Sequence, residues 1–86
     1  MKELERLLKA LANKRRLEII QYLKKAKEAS VGEIAEAIKL SFKATSKHLN
    51  KLAVADIVEK EQRNLQMWYS LTEKQKPVAR TLIATL

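Results

Sequence analysis

The sequence predicts a mostly α-helical domain carrying one small β-hairpin, in the order α-α-α-α-β-β-α. Three observations predict it. Apolar residues recur at helical spacing through residues 4–52, the period shortens to about two between 57 and 71, and helical spacing returns after Pro77. One Gly and one Pro among 86 residues argue against an all-β domain, whose turns need many special backbone positions. Apolar residues make up 47% of the chain, enough for one core and too much for a disordered tail. The length suits a single domain spanning residues 1–86, with a small core.

The first helix shows in Leu4, Leu7, Leu8 and Leu11, spaced i, i+3, i+4, i+7. Asn13 breaks that pattern and suits the N-cap of a second helix, because its side chain can accept from a free N–H of the first turn. Leu17, Ile19, Ile20, Leu23 and Ala26 then cover a wide arc, as in a helix buried on more than one side. A third helix opens on Ser30-Val31-Gly32-Glu33, the spacing of a capping box, and its stripe is Val31, Ile34, Ala35 and Ile38. Ser41 can cap a fourth helix, in which Phe42, Thr45, Leu49 and Leu52 share one side. Only Lys39 and Leu40 separate the third helix from the fourth. That interval admits nothing but a tight corner, and two helices so joined form a helix-turn-helix over residues 30–55.

Past Asp56, Ile57–Gln62 and Gln66–Leu71 alternate as two strands around Arg63-Asn64-Leu65, a three-residue connection. Asn64 is the residue there best able to take a positive φ. A last helix runs toward Leu86 from a start between 73 and 77. Thr72 and Gln75 have capping-box spacing, whereas Pro77 suits position N1. Leu82, Ile83 and Leu86 give this helix an uninterrupted apolar stripe.

Eighteen Lys and Arg against ten Asp and Glu give a net charge of +8. Charge of that sign attracts polyanions at a distance, so nucleic acid or an anionic membrane is the natural partner. The absence of Cys excludes disulfides and thiolate metal sites. Acidic residues in Met1–Glu5 and the lack of a long apolar run predict neither a signal peptide nor a membrane span, hence a soluble cytoplasmic protein. With no Gly-rich phosphate loop, no Cys nucleophile and no usefully spaced His–carboxylate pair, neither an enzyme nor a cofactor is expected.

The functional signal lies in the fourth helix. Thr45, Leu49 and Leu52 face the core, and the opposite arc carries Lys43, Ser46, Lys47, Asn50 and Lys51. No acidic residue occurs between Ser41 and Ala55. A face made only of cationic and polar donors suits the major groove, where phosphates line the rim and base edges offer acceptors. Asn50 can pair with adenine, and the lysines can serve phosphates or guanine. In the hairpin, Lys60 and Arg63 are the cations able to reach phosphate or the minor groove, and the free N–H groups near Ser30 offer a further phosphate site.

These features together resemble the ArsR-type winged-helix repressors from Leu8 to about Leu71. The resemblance rests on Ala10-Leu11-Ala12-Asn13-Lys14-Arg15-Arg16-Leu17-Glu18-Ile19-Ile20, against the family's A-L-A-D-P-T-R-L-x-I-L. It continues in Val31–Ile38 and in Leu40-Ser41-Phe42-Lys43-Ala44-Thr45-Ser46-Lys47-His48-Leu49, against L-S-Q-S-T-V-S-H-H-L. It ends in Trp68-Tyr69-Ser70-Leu71, similar to V-x-Y-x-L in a second wing strand. The resemblance implies a winged helix-turn-helix with its wing at 57–71 and DNA-reading positions at Phe42, Lys43, Ala44, Ser46 and Lys47. Periodicity instead puts Phe42 on the core arc and favours its packing inward. His48 matches a common family His and is expected to make a structural hydrogen bond, and Arg16 is likewise expected to be structural.

Metal sensing is not expected. Where the family carries a Cys-x-Cys pair this chain has Ser30 and Gly32, and its last helix has no His, no Asp and only Glu73. Asp56 stands where the family usually has Gly, the wing lacks its usual Gly, and Val54 is apolar where a charge is common. Two leucine-striped terminal helices on so small a domain, together with the resemblance, predict a homodimer. Its interface would run through 1–12 and 73–86, with Leu4, Leu7, Leu8, Leu11, Leu82, Ile83 and Leu86. The alternative is that both stripes pack within the monomer. The expected function is a sequence-specific repressor of double-stranded DNA, contacting a palindromic operator through Lys43, Ser46, Lys47, Asn50, Lys51, Ser41, Ala44, Lys60, Arg63 and Ser30. A winged-helix module that docks on an acidic protein surface, and a nucleoid-like binder without sequence preference, are the alternatives.

Overall fold

Each expected helix forms, and local caps set most of the boundaries. The computed structural model describes residues Met1–Leu86. Its elements are α1 (Lys2–Leu11), α2 (Lys14–Ala26), β1 (Glu28–Ser30), α3 (Val31–Ile38), α4 (Phe42–Val54), β2 (Val58–Arg63), β3 (Gln66–Leu71) and α5 (Pro77–Ala84). Asn13 Oδ1 accepts from the Arg16 amide at 3.1 Å and starts α2. At α3 the capping box is complete: the Glu33 amide donates to Ser30 Oγ at 3.2 Å, and the Ser30 amide donates to Glu33 Oε1 at 3.0 Å. Ser41 Oγ accepts from the Ala44 amide at 3.1 Å and starts α4.

The last helix begins at Pro77 in position N1, which settles the ambiguous start. Thr72 does not cap it. Its hydroxyl donates to Glu59 Oε1 at 2.8 Å and accepts from the Lys74 amide at 3.2 Å, tying off the base of the hairpin.

The core assembles around α2. Ile19, Ile20 and Leu23 of α2 meet Ile34 of α3, Leu49 and Leu52 of α4, and Ile57, all essentially inaccessible to solvent. Burying a side chain of this size contributes about 1.5–3 kcal/mol, so these residues dominate the stability of so small a domain. Ala26, expected on the buried arc, is exposed because α2 ends there, past the packed layer.

The sheet has three strands, one more than expected, in the order β1-β3-β2 and antiparallel throughout. β1 pairs Glu28 with Ser70, Ala29 with Tyr69 and Ser30 with Trp68. Ala29, Val58 and Tyr69 face the helices and are buried. Between β2 and β3 the connection is two residues, Asn64 and Leu65, rather than three, because Arg63 pairs with Gln66 inside the ladder. Asn64 takes a φ of 55°, as its position requires, and Asp56 takes 59° at the entry to β2. Lys39 provides the left-handed corner between α3 and α4, with φ 56°.

The terminal helices dock on the same body. Leu11 and Ile83 are buried within the monomer, whereas Leu7, Leu82 and Leu86 are half-buried against the core. Leu4 and Leu8, 39% and 47% exposed, stand out on the free side of α1. Lys24 Nζ donates to the Ile83 carbonyl at 3.0 Å and caps the end of α5. Glu3 and Lys76 form an ion pair that links the starts of α1 and α5. The dimer surface expected from the sequence therefore divides. Leu11 and Ile83 serve the monomer's own core, and the large apolar side chains left exposed on the terminal helices are Leu4 and Leu8 of α1 and Val78 of α5.

Candidate nucleic-acid interface

The outward face of α4 carries three lysines and an asparagine with no carboxylate among them. Thr45, Leu49 and Leu52 pin the helix to the core, which turns Lys43, Lys47, Asn50 and Lys51 outward, all exposed. Ser41 is exposed at the cap, while Ala44 and Ser46 are half-buried on the shoulders of that face. No carboxylate in Ser41–Ala55 competes for these donors.

Two arginines of α2 hold this helix-turn-helix in place. Arg15 NH1 donates to the Ile38 carbonyl at 2.6 Å, satisfying a free acceptor at the end of α3. Arg16 Nε donates to His48 Nδ1 at 3.2 Å, and its NH1 donates to the Lys9 and Ala10 carbonyls. Arg16 thus bridges the end of α1 to the middle of α4. Burial lowers the His48 pKa, and the charges of Arg16, Lys51 and Arg15 lower it further. A neutral imidazole leaves Nδ1 free to accept, as the Arg16 bond requires. His48 and Arg16 are structural, as expected.

One expectation is corrected. Phe42 is not packed inward but 63% exposed. It occupies the first position of α4, and a helical side chain leans toward the N-terminus, so Phe42 projects past the helix end where no partner element lies. Ser30 is 7% exposed; its amide donates to Glu33 and its hydroxyl oxygen accepts from the Glu33 amide, so its backbone N–H is committed to the capping box.

The Arg63 guanidinium makes two parallel bonds to Glu28, NH1 to Oε1 and NH2 to Oε2, each 2.8 Å, and Nε donates to Glu61 Oε1 at 2.8 Å. It lies 5.3 Å from the centroid of the Trp68 ring. These hydrogen bonds hold the Glu28 carboxyl below the usual carboxylate range and push the Arg63 guanidinium up. Of the two wing cations only Lys60 remains free, on the sheet face opposite Glu59 and Glu61.

The sequence reasoning missed Glu28, the residue that pairs with the exposed Arg63 guanidinium. It sits in a three-residue strand that has no period of its own to reveal it. Nowhere do three His, Cys, Asp or Glu side chains gather as a metal ion would require. No helix is long and apolar enough to cross a membrane.

Known proteins place this arrangement. The family model for bacterial regulatory proteins of the arsR family matches residues 13–60, from the cap of α2 into β2. Among solved structures, HlyU from Vibrio cholerae is similar at 32% identity and a TM-score of 0.83, covering 98% of this chain and 87% of its own. The homodimeric winged helix-turn-helix DNA-binding domain Mb0332 from Mycobacterium bovis is similar at 32% identity and a TM-score of 0.84, covering 98% of this chain and 74% of its own. The transcriptional repressor PagR of Bacillus anthracis is similar at 27% identity and a TM-score of 0.80, covering 98% of this chain and 92% of its own. A comparison with curated proteins finds no match. The fold is a winged helix-turn-helix in which α3 and α4 form the helix-turn-helix and β2–β3 the wing. The chain belongs to the arsR family of bacterial regulatory proteins, DNA-binding regulators of transcription rather than enzymes.

Proposed function

We propose that this protein is a dimeric, cytoplasmic repressor that reads a palindromic operator in duplex DNA through α4. The observation that carries the reading is the exposed row Lys43, Lys47, Asn50 and Lys51 on a helix with no carboxylate along it. Placed in the major groove, such a face offers Asn50 to adenine and lysines to guanine or phosphate. Ser41, Ala44 and Ser46 would lie close to the DNA along the same face. Phe42, exposed at the leading end of α4, offers an apolar surface to a thymine methyl group.

Dimerisation would use α1 and α5. The Glu3–Lys76 ion pair brings the starts of these helices together, and near it Leu4, Leu8 and Val78 leave apolar surface exposed on each monomer. A two-fold pair sets its recognition helices about 34 Å apart, one turn of DNA. The homodimeric Mb0332 domain and the repressor PagR support both the assembly and the sign of regulation.

Selection of bound duplexes from a random pool, followed by footprinting of the winner, tests this reading. Two symmetric half-sites one helical turn apart are expected. Equal affinity for the selected duplex and a random one, at one fixed salt concentration, would show a nucleoid-like binder instead. No affinity for any duplex at moderate salt would show a protein-docking module.

A further inference from the structure

α1 is buried against the domain at one end only. Its buried residues are Ala10 and Leu11, in the last turn, whereas Leu4 and Leu8 stand exposed in the turns before it. A helix end leaves carbonyls without partners in the helix itself. Here the Ala12 amide takes the Leu8 carbonyl and the Asn13 amide takes the Leu11 carbonyl. The Lys9 and Ala10 carbonyls accept instead from Arg16 NH1, at 3.3 and 3.2 Å.

The same guanidinium reaches α4, where its Nε donates to His48 Nδ1. His48 lies beside Lys47 and one turn before Lys51, so the bond grips the recognition helix at the level of its lysine row. Leu49 and Leu52 bury the core side of α4. Apolar burial is non-directional, whereas the donors of a guanidinium leave the planar group in fixed directions. Arg16 therefore adds a directional constraint on the angle between α1 and α4.

We infer that Arg16, acting through His48, is a positioning residue that sets the half-site spacing the dimer accepts. The inference rests on the reading of α4 as the DNA-binding helix and of α1 as part of the dimer interface. In a two-fold dimer the recognition helices lie about 34 Å apart, each about 17 Å from the axis. On that arm a pivot of about 6° between α1 and α4 moves each α4 by about 1.8 Å, and the two-fold doubles the change to about 3.6 Å. Successive base pairs are about 3.4 Å apart, so a pivot this small shifts the spacing by one base-pair step. Neither residue touches DNA in this role. Both act by holding Lys43, Lys47 and Asn50 at a fixed distance from the same row on the partner protomer.

The test uses the full chain, the duplex it selects from a random pool, and the same duplex with one base pair added or removed between the half-sites. Affinity is measured at one salt concentration for wild type, His48→Leu, His48→Asn and Arg16→Lys, with unfolding free energy alongside. The twist that an extra base pair adds belongs to the duplex and is the same for every variant compared. Wild type is expected to bind the altered spacings roughly 10–100-fold more weakly, and His48→Leu to narrow that ratio by at least about threefold. His48→Asn keeps an acceptor near the place of Nδ1 and should keep the wild-type ratio. Arg16→Lys replaces the fork by a single ammonium and should behave as His48→Leu, so it decides the question if the leucine variant fails to fold. A folded His48→Leu or Arg16→Lys protein with the wild-type ratio overturns the inference, as does a His48→Asn protein that loses it. A wild type that binds no duplex, or that binds as a monomer, would instead remove the reading on which the inference rests.

Discussion

Arg16 Nε donates to His48 Nδ1 at 3.2 Å, joining α2 to the middle of the recognition helix across 32 residues of sequence. Through NH1 the same guanidinium holds the Lys9 and Ala10 carbonyls at the end of α1. One side chain therefore fixes the helix that would read DNA to the helix that would form the dimer. The joint works only while Nδ1 is unprotonated.

This joint makes stability depend on pH in a definite direction. The folded pKa of His48 lies below its ordinary value of 6.5, so on acidification the unfolded chain takes up its proton first. Stability then rises with pH through this window and is lost as pH falls below about 6.5 toward the folded pKa. Unfolding free energy measured by denaturant titration should decline on that acid side in wild type, and the decline should be smaller in His48→Gln.

Thr45 carries the converse defect. It is fully buried on the core side of α4, and its Oγ1 has no hydrogen-bond partner. Thr45→Val keeps the shape and removes the unsatisfied hydroxyl. We expect a gain of about 1 kcal/mol in unfolding free energy, with DNA affinity unchanged.

Phe42 should separate stability from binding. Its ring is 63% exposed, so Phe42→Ala is expected to change unfolding free energy by no more than about 0.5 kcal/mol. Affinity for the selected duplex should nevertheless fall about tenfold, the loss of roughly 1.4 kcal/mol of apolar contact. A stability loss of several kcal/mol would mean that the ring belongs to the core.

The exposed leucines of α1 give the test of assembly. Leu4→Glu with Leu8→Glu should yield a folded monomer in sedimentation equilibrium, because neither side chain is buried within one chain. Duplex affinity should fall with dimerisation, since two tethered half-site contacts exceed one.

Most of the fold was legible because local physics dictates it. Asn13, Ser30 with Glu33, Ser41 and Pro77 each satisfy or spare a helix-end N–H, and each marks its boundary in the chain where the sequence places it. What stayed hidden depends on partners distant in sequence. β1 has three residues and exists because β3 offers it an edge. Glu28 and Arg63 lie 35 residues apart, so nothing local announces their pairing. Phe42 misled because a helical wheel treats every turn alike, whereas the first turn of α4 extends past the layer that buries Leu49 and Leu52. The basic face of α4 was fully legible, since the core residues on one side dictate what points away on the other.

The central claim, that the outer face of α4 binds duplex DNA, is tested most directly by salt dependence. Affinity for the selected duplex should be measured from low to moderate salt for wild type and for Lys43→Ala with Lys47→Ala. Both lysines are exposed, so the fold should tolerate the change. Wild type should show a steep negative slope of log affinity against log salt, and the double variant a weaker affinity with a slope shallower by up to about 3.6, since a dimer loses two lysines from each of its two protomers. A double variant that matches wild type in both affinity and slope would contradict the account.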